Sequence, residues 1–420
     1  MMKRTILSLA AISAIATTGA LADSTTDIAE LKAMMAQMNQ RLAKLEAENK
    51  QLKAKAKATS HKKTAHKKHV HYTKTEQSEK IAALEEKVEK IEKHAAVKSH
   101  APVLKFSGTH YMHYRSLDNG TETTNKFGMT RNYLQVKAYF ADHPKDYMRV
   151  TLDAKQNKNF DTNSLDVRVK YAFLYLDSIL PYTGVEIGLA HTPWLDFEEH
   201  HGWYYRSLGE TFGEQHNGGH LHTSSDYGIN FKTKTDYFSS ELGIFNGAGY
   251  HGDEDGEGLR GAWRLTGHLL GTGKEHVHKS DTYADVSFFG QYGKDENKVG
   301  DANGDYAWYG LHAVYNQPEF LFAAQYLVTD KADVSRKGDG WSVNGEFRLM
   351  TLNDSLDKWN ILGRYDDYTV DAGDIEKTTT IAGIAYKYNK YVEFVADYQK
   401  DTKDLEADKD AFMLTAEVNW

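Results

Sequence analysis

Residues 193–222 bring five histidines (His200, His201, His216, His220 and His222) together with Asp196, Glu198, Glu199, Glu210, Glu214 and Arg206. Imidazole and carboxylate are ligands for Zn, Ni or Cu, so metal binding is the first chemistry to weigh. No pair stands at the H-E-x-x-H spacing, which sets two imidazoles on one helix face beside a general base. No metal is assigned here. A second set, His61, His66, His69 and His71, lies at irregular spacing among eight Lys between Lys53 and Lys74, with no acid. A solvated spacer is the simplest reading of that stretch. Its charge also suits contact with an anionic envelope surface, either peptidoglycan or inner-leaflet lipid. Nucleophilic catalysis finds no support: there is no Cys and no G-x-S-x-G elbow. No catalytic residue and no cofactor are assigned. The Lys/His stretch lacks interleaved aromatics, so nucleic acid is not an expected partner.

The elements that would position these groups fall into three regimes. Met1-Met2-Lys3-Arg4, an apolar run from Thr5 to Thr18 and Ala20-Leu21-Ala22 read as a signal peptide over residues 1–22, with the mature chain starting at Asp23. Ile28, Leu31, Met35, Met38, Leu42, Leu45, Asn49 and Leu52 alternate spacings of three and four, the a/d seam of a coiled coil over 23–52. Residues 53–80 form the Lys/His-rich linker. Ile81, Leu84, Val88 and Ile91 begin a second short helical coiled-coil segment over 81–98.

From residue 103 the period changes to two. Phe412, Leu414, Ala416, Val418 and Trp420 oppose Met413, Thr415, Glu417 and Asn419, and the chain ends on an aromatic. Val392, Phe394, Ala396 and Tyr398 oppose Glu393, Val395 and Asp397; Val343, Phe347 and Leu349 oppose Asn344, Glu346 and Arg348; Val169, Tyr171, Phe173 and Tyr175 oppose Arg168 and Lys170. Many runs reach about 10 residues, enough to cross a bilayer when tilted and longer than most strands of a soluble sandwich. Sixteen are counted, starting near 104, 127, 145, 164, 183, 223, 236, 258, 280, 304, 318, 337, 356, 376, 390 and 409. The expected fold is all-β: a sixteen-stranded antiparallel transmembrane β-barrel over 103–420, preceded by a periplasmic coiled coil. Composition agrees, with 26 Tyr, 33 Gly, only 5 Pro and a mean hydropathy of −0.63. Odd connections should be long and even ones short, Leu270–Lys279 being the exception. The third odd connection, Pro193 to about His222, is expected to fold inward and narrow the lumen. Parity then places Arg149, Arg168, Lys170, Arg260, Arg264, Arg348 and Arg364 inward, with Asp153, Asp285, Glu346, Asp366, Glu393 and Asp397.

Gly188-Leu-Ala-His-Thr192-Pro193-Trp194, then Arg206-Ser207-Leu208, Tyr227-Gly228-Ile229 and Gly243-Ile244-Phe245-Asn246-Gly247 resemble the phosphate-selective porin O and P family. The resemblance implies a trimer of barrels in the bacterial outer membrane, passive diffusion of ions and small hydrophilic solutes, and anions such as phosphate among them. Its partners would be outer-membrane lipid and lipopolysaccharide, with the coiled coil in the periplasm. One departure is His191, where that family often has Lys. Charge points the other way as well. Of 51 Lys and Arg and 59 Asp and Glu, residues 1–102 hold 19 and 11, leaving 32 basic and 48 acidic residues for the barrel. The expected constriction set is Arg149, Arg168, Lys170, Asp196, Glu198, Glu199, Arg206, Arg260, Arg264, Arg348 and Arg364. The alternative is a structural tether from outer membrane to cell wall through the coiled coil and basic linker.

Overall fold

The period-two pattern resolves, in a computed structural model of the chain, into sixteen strands. They are β1 (Val103–Asp118), β2 (Thr123–Tyr139), β3 (Tyr147–Gln156), β4 (Leu165–Leu180), β5 (Thr183–His191), β6 (Ser225–Lys234), β7 (Phe238–Phe245), β8 (Arg260–Leu270), β9 (Tyr283–Gly293), β10 (Tyr306–Gln317), β11 (Phe320–Lys331), β12 (Gly338–Arg348), β13 (Trp359–Val370), β14 (Ile375–Lys387), β15 (Val392–Lys403) and β16 (Lys409–Asn419). The structure describes residues 102–156, 165–252, 258–271, 277–296 and 298–420. The expected signal peptide, both coiled-coil segments, the basic linker and the acidic run Asp253-Glu254-Asp255 lie outside the described residues.

Each strand pairs antiparallel with its neighbours in sequence, and β1 pairs with β16, so the sheet closes and has no free edge. The seam is tight. Gly108 and Trp420 exchange both backbone hydrogen bonds, at 2.9 and 3.0 Å. A Cβ at Gly108 would lie 2.6 Å from the Trp420 indole, so glycine leaves room for the terminal ring where it stands.

Alternation sorts side chains by solvent. Outward positions are apolar, with exposed Tyr292, Tyr309, Trp341 and Phe412 towards one rim and Tyr315, Phe322, Phe347 and Phe394 towards the other. Two interfacial aromatic belts of this kind mark the water boundaries of a membrane barrel. Inward positions mix charged and hydroxylic residues with buried apolar ones such as Leu327, Ile381, Val395 and Met413, on the faces that the parity of β12, β15 and β16 predicted.

Strand β4 departs from the expected parity. Thr151 of β3 faces Tyr171, whereas Leu152 faces Val169, which leaves Lys170 as an extra residue in a β-bulge. The bulge reverses the pleat beyond it. Tyr171 and Phe173 therefore point into the barrel with Lys170 and are buried, while Val169 stays outside. A similar irregularity between Tyr111 and Met112 of β1 shifts its register against β2.

Connection lengths follow the expected alternation only in part: the odd connections 119–122 and 371–374 are four residues each, shorter than or equal to the even connections 140–146 and 388–391. Residues 271–282 are long, as expected for that exception. Residues 349–358 are also long, because two single-turn 3₁₀ helices, Leu349–Thr351 and Asp354–Leu356, occupy an even connection. The last odd connection shrinks to residues 404–408, because β15 continues to Lys403.

Candidate functional site: an inward loop and a polar cavity

Residues 192–224 leave β5, turn into the barrel and return to β6. The segment opens with one short helix, α1 (Leu195–His201). Its aromatic side chains all seek the β8–β15 wall. Trp194 lies flat on Phe289, with ring centres 3.6 Å apart and planes 6° from parallel. Phe197, Phe212 and Leu221 join Trp308, Leu327 and Tyr368 in one buried cluster. Trp203, Tyr205 and Leu208 join Leu362, Ile381 and Val395 in another. Burying this apolar surface, at roughly 25 cal/mol per Å², holds the loop to one side of the lumen. Side-chain hydrogen bonds fix its register: Asn344 Nδ2 donates to Gly202 O at 2.7 Å, Arg364 Nη1 to Glu210 O at 2.8 Å, and Tyr306 Oη to Leu221 O at 2.5 Å.

Between the loop and the remaining wall, β1–β4 with β16, a polar cavity of about 400 Å³ stays open. Its lining includes Arg131, Arg149, Lys170, Tyr111, Tyr133, Tyr171 and Gln135 from the wall, and Asp196, Glu199, His200, Tyr204 and Arg206 from the loop. The helix thus divides its neighbours: Asp196, Glu199 and His200 look into the cavity, while Phe197, Glu198 and His201 are turned to the wall behind.

The expected constriction residues separate accordingly. Arg149, Lys170, Asp196, Glu199 and Arg206 line the cavity. Glu198 does not; it is buried behind the loop, where Gln325 Nε2 donates to its Oε1 at 2.5 Å. Arg260, Arg264, Arg348 and Arg364 also lie away from it, each locked to a carboxylate: Glu296 at 2.8 Å, Glu241 at 3.1 Å, Glu346 at 3.1 Å and Asp366 at 2.6 Å. Two of them carry the loop on their guanidinium faces, Arg264 beneath Phe197 at 4.3 Å and Arg364 beneath Trp203 at 5.0 Å. Arg168 is paired with Asp153 at 3.0 Å.

Around the cavity the charges are unequally matched. Glu199 takes Arg131 at 3.1 and 3.2 Å and Arg206 at 2.7 Å, and Arg206 also reaches Glu214 at 2.6 Å, so the loop is tied to β2. Arg149 and Lys170 make no ion pair among the described residues. Arg149 donates to Thr151 Oγ1 at 3.1 Å and to His191 Nε2 at 3.0 Å, and stacks 4.3 Å above Tyr171. His191 accepts because its Nδ1 donates to Glu186 at 2.9 Å. Lys170 donates to Tyr133 Oη at 2.6 Å and lies 4.8 and 5.1 Å from the ring centres of Tyr133 and Tyr250.

Sequence reasoning missed Arg131, Tyr111, Tyr133, Gln135 and Tyr204. A signal existed: Arg131, Tyr133, Gln135 and Lys137 alternate along β2 as cleanly as the residues that were chosen. The loop histidines do not converge, and among the described residues no group of three or more His, Asp or Glu is placed to hold a metal ion. His216 stacks on His220 and His222 on Trp308.

No protein-family model and no curated protein matches the sequence. Solved structures match by shape. An outer-membrane protein of Vibrio cholerae, OmpT with its loop L8 deleted, has a TM-score of 0.55 at 15% identity, covering 76% of this chain and 100% of that one. Pseudomonas putida OprB gives 0.57 at 9%, over 76% and 94%. An anion-selective porin from Comamonas acidovorans gives 0.55 at 10%, over 76% and 99%. The chain is similar to these in its barrel fold.

Proposed function

We propose that the chain is an outer-membrane porin, admitting ions and small hydrophilic solutes by passive diffusion, with small anions such as phosphate favoured at its narrowest point. The observation that carries this reading is the polar cavity left open beside a loop folded into a closed, apolar-sided barrel. Selectivity in such a passage follows from its width and the field across it. Arg131 and Arg206 are neutralised by Glu199 and Glu214, which leaves Arg149 and Lys170 as the wall cations that a passing anion meets. At an effective dielectric constant of about 20, a unit charge 5 Å away is worth ~3 kcal/mol before screening by salt. Asp196, from the loop side, sets the opposing sign and orients polar solutes. This placement answers the acidic balance of the barrel: net charge does not set the field where solutes pass.

A homotrimer is part of the same reading. The outward positions of β3, β4 and β5, among them Met148, Val150, Leu152, Val169, Ala172, Leu174 and Ile187, include no aromatic residue. Outward strand positions without aromatics suit contact with a second copy better than contact with lipid, the exposed Tyr182 lying in the β4–β5 turn.

The test is the reversal potential of the purified protein in a planar bilayer under a KCl gradient. Wild type should be anion-selective, and the double variant R149Q/K170M should lose that selectivity with folding unchanged. A cation-selective wild type would mean that Asp196 dominates and would remove phosphate from the reading. Absence of any current would overturn the channel itself and bring the tether forward, which deletion of residues 23–100 would then examine.

A further inference from the structure

The inward loop leaves and re-enters the barrel wall at the rim of the odd connections, yet its tip meets a segment of the opposite rim. That segment is residues 277–282 of the β8–β9 connection, which reach into the lumen. Lys279 carries the contact. Its Nζ lies 4.3 Å from the centre of the Tyr205 ring, 5.0 Å from that of Tyr204, and 3.4 Å from Glu346 Oε2. Its backbone is clamped from the wall, since Lys279 O accepts from Arg348 Nη1 at 2.7 Å and from Asn316 Nδ2 at 3.1 Å, and Asp281 O accepts from the same amide at 2.5 Å. Tyr204 is the link to the cavity. It contributes to the lining, and its hydroxyl is 2.6 Å from that of Tyr283, which in turn donates to His201 O at 2.6 Å.

We propose that Lys279 is a positioning residue for the constriction: held by Glu346 and the wall, its ammonium fixes where Tyr204 stands opposite Arg149 and Lys170, so both rims of the barrel set the width of the passage. The inference rests on the porin reading. A side chain that only filled space would be replaced without effect by Met, which has nearly the same length and no charge. A cation held over two aromatic rings and a carboxylate would not be. Loss of the charge leaves the two tyrosines held by apolar packing and by hydroxyl hydrogen bonds, Tyr204 to Tyr283 and Asn360 Nδ2 donating to Tyr205 Oη at 3.2 Å.

The experiment measures unitary conductance and closing voltage of full-length K279M, K279R and wild type in planar bilayers, with heat-modifiable mobility as the check on folding. K279M should conduct more and close at lower voltage, and K279R should return both to the wild-type values. In a Tyr204→Ala background, where the ring is already gone, K279M should add nothing. K279Q is the second variant should K279M fail to fold. Wild-type conductance in a folded K279M or K279Q, or an undiminished effect in the Tyr204→Ala background, overturns the proposal alone. A wild type that passes no current overturns the channel reading first and this proposal with it.

Discussion

Glu198 and Glu199 are neighbours on α1 with opposite fates. Burial raises the proton affinity of both. For Glu199 the guanidiniums of Arg131 and Arg206 outweigh it and hold the carboxyl at about 2. For Glu198 burial prevails over the weaker pull of Arg364, the Gln325 amide and the Trp194 indole, with Asp366 adding to it, and the carboxyl stands pushed up to about 7. Burial pushes His201 and His222 down to about 3. The signs follow from which state of the loop binds more protons. A docked Glu198 binds more protons than a released one between pH 4.5 and 7, so its contribution to docking falls as pH rises through that window. The two histidines work in reverse, losing stability as pH falls from 6.5 towards 3. Removing the acid alone, as E198Q, should therefore widen the stability gap over wild type between pH 4.5 and 7, by about 3 kcal/mol at 1.36 kcal/mol per unit. Hydrogen exchange of residues 193–222 across that range measures it, and equal pH profiles for the two proteins would refute it.

At the scale of elements, one bulge and one glycine shape the cavity wall. The extra residue in β4 turns Lys170 and Tyr171 into the lumen together, something no two-residue repeat allows. Beside it, Gly188 of β5 holds a φ of +125°, and a Cβ there would lie 2.5 Å from Ala172 O. Only glycine adopts that backbone without strain of order 1–3 kcal/mol. G188A should lower the folded fraction by that amount in a urea titration read by heat-modifiable mobility, while Gly345, whose virtual Cβ is 3.2 Å from Leu321 O at normal φ, should tolerate Ala far better. Equal loss at both sites would mean that φ is not the cause.

At the scale of the whole molecule, the barrel is asymmetric inside and out. Inside, aromatics of the loop crowd β8–β15 and leave the polar cavity to β1–β4. Outside, aromatic belts serve β9–β16 and are missing from β3–β5. The two asymmetries coincide in the sheet: the wall without outward aromatics is the one that carries Arg149 and Lys170. If that wall meets other copies, V150W on β3 should dissociate the oligomer on native gels, whereas A313W, on an exposed outward position of β10, should leave it intact. A monomeric wild type, or equal effects of both, would refute the assignment.

Strand number, strand order and the inward loop were legible in the chain, because a closed barrel repeats one local rule sixteen times and each start could be read within a few residues. The inward set Arg260, Arg264, Arg348 and Arg364 was legible for the same reason. Which inward cations remain without a carboxylate was not, since a partner such as Glu296 or Glu241 sits on another strand or loop and pairing depends on shear and register. Glu198 and Glu199 are indistinguishable as letters; a turn of about 100° along one short helix sends one to a desolvated wall and the other to two arginines. The face of Tyr171 and Phe173 was decided by one unpaired residue in β4. The meeting of Lys279 with Tyr204 joins connections from opposite ends of the barrel, and only closure of the sheet around the folded loop brings them within contact.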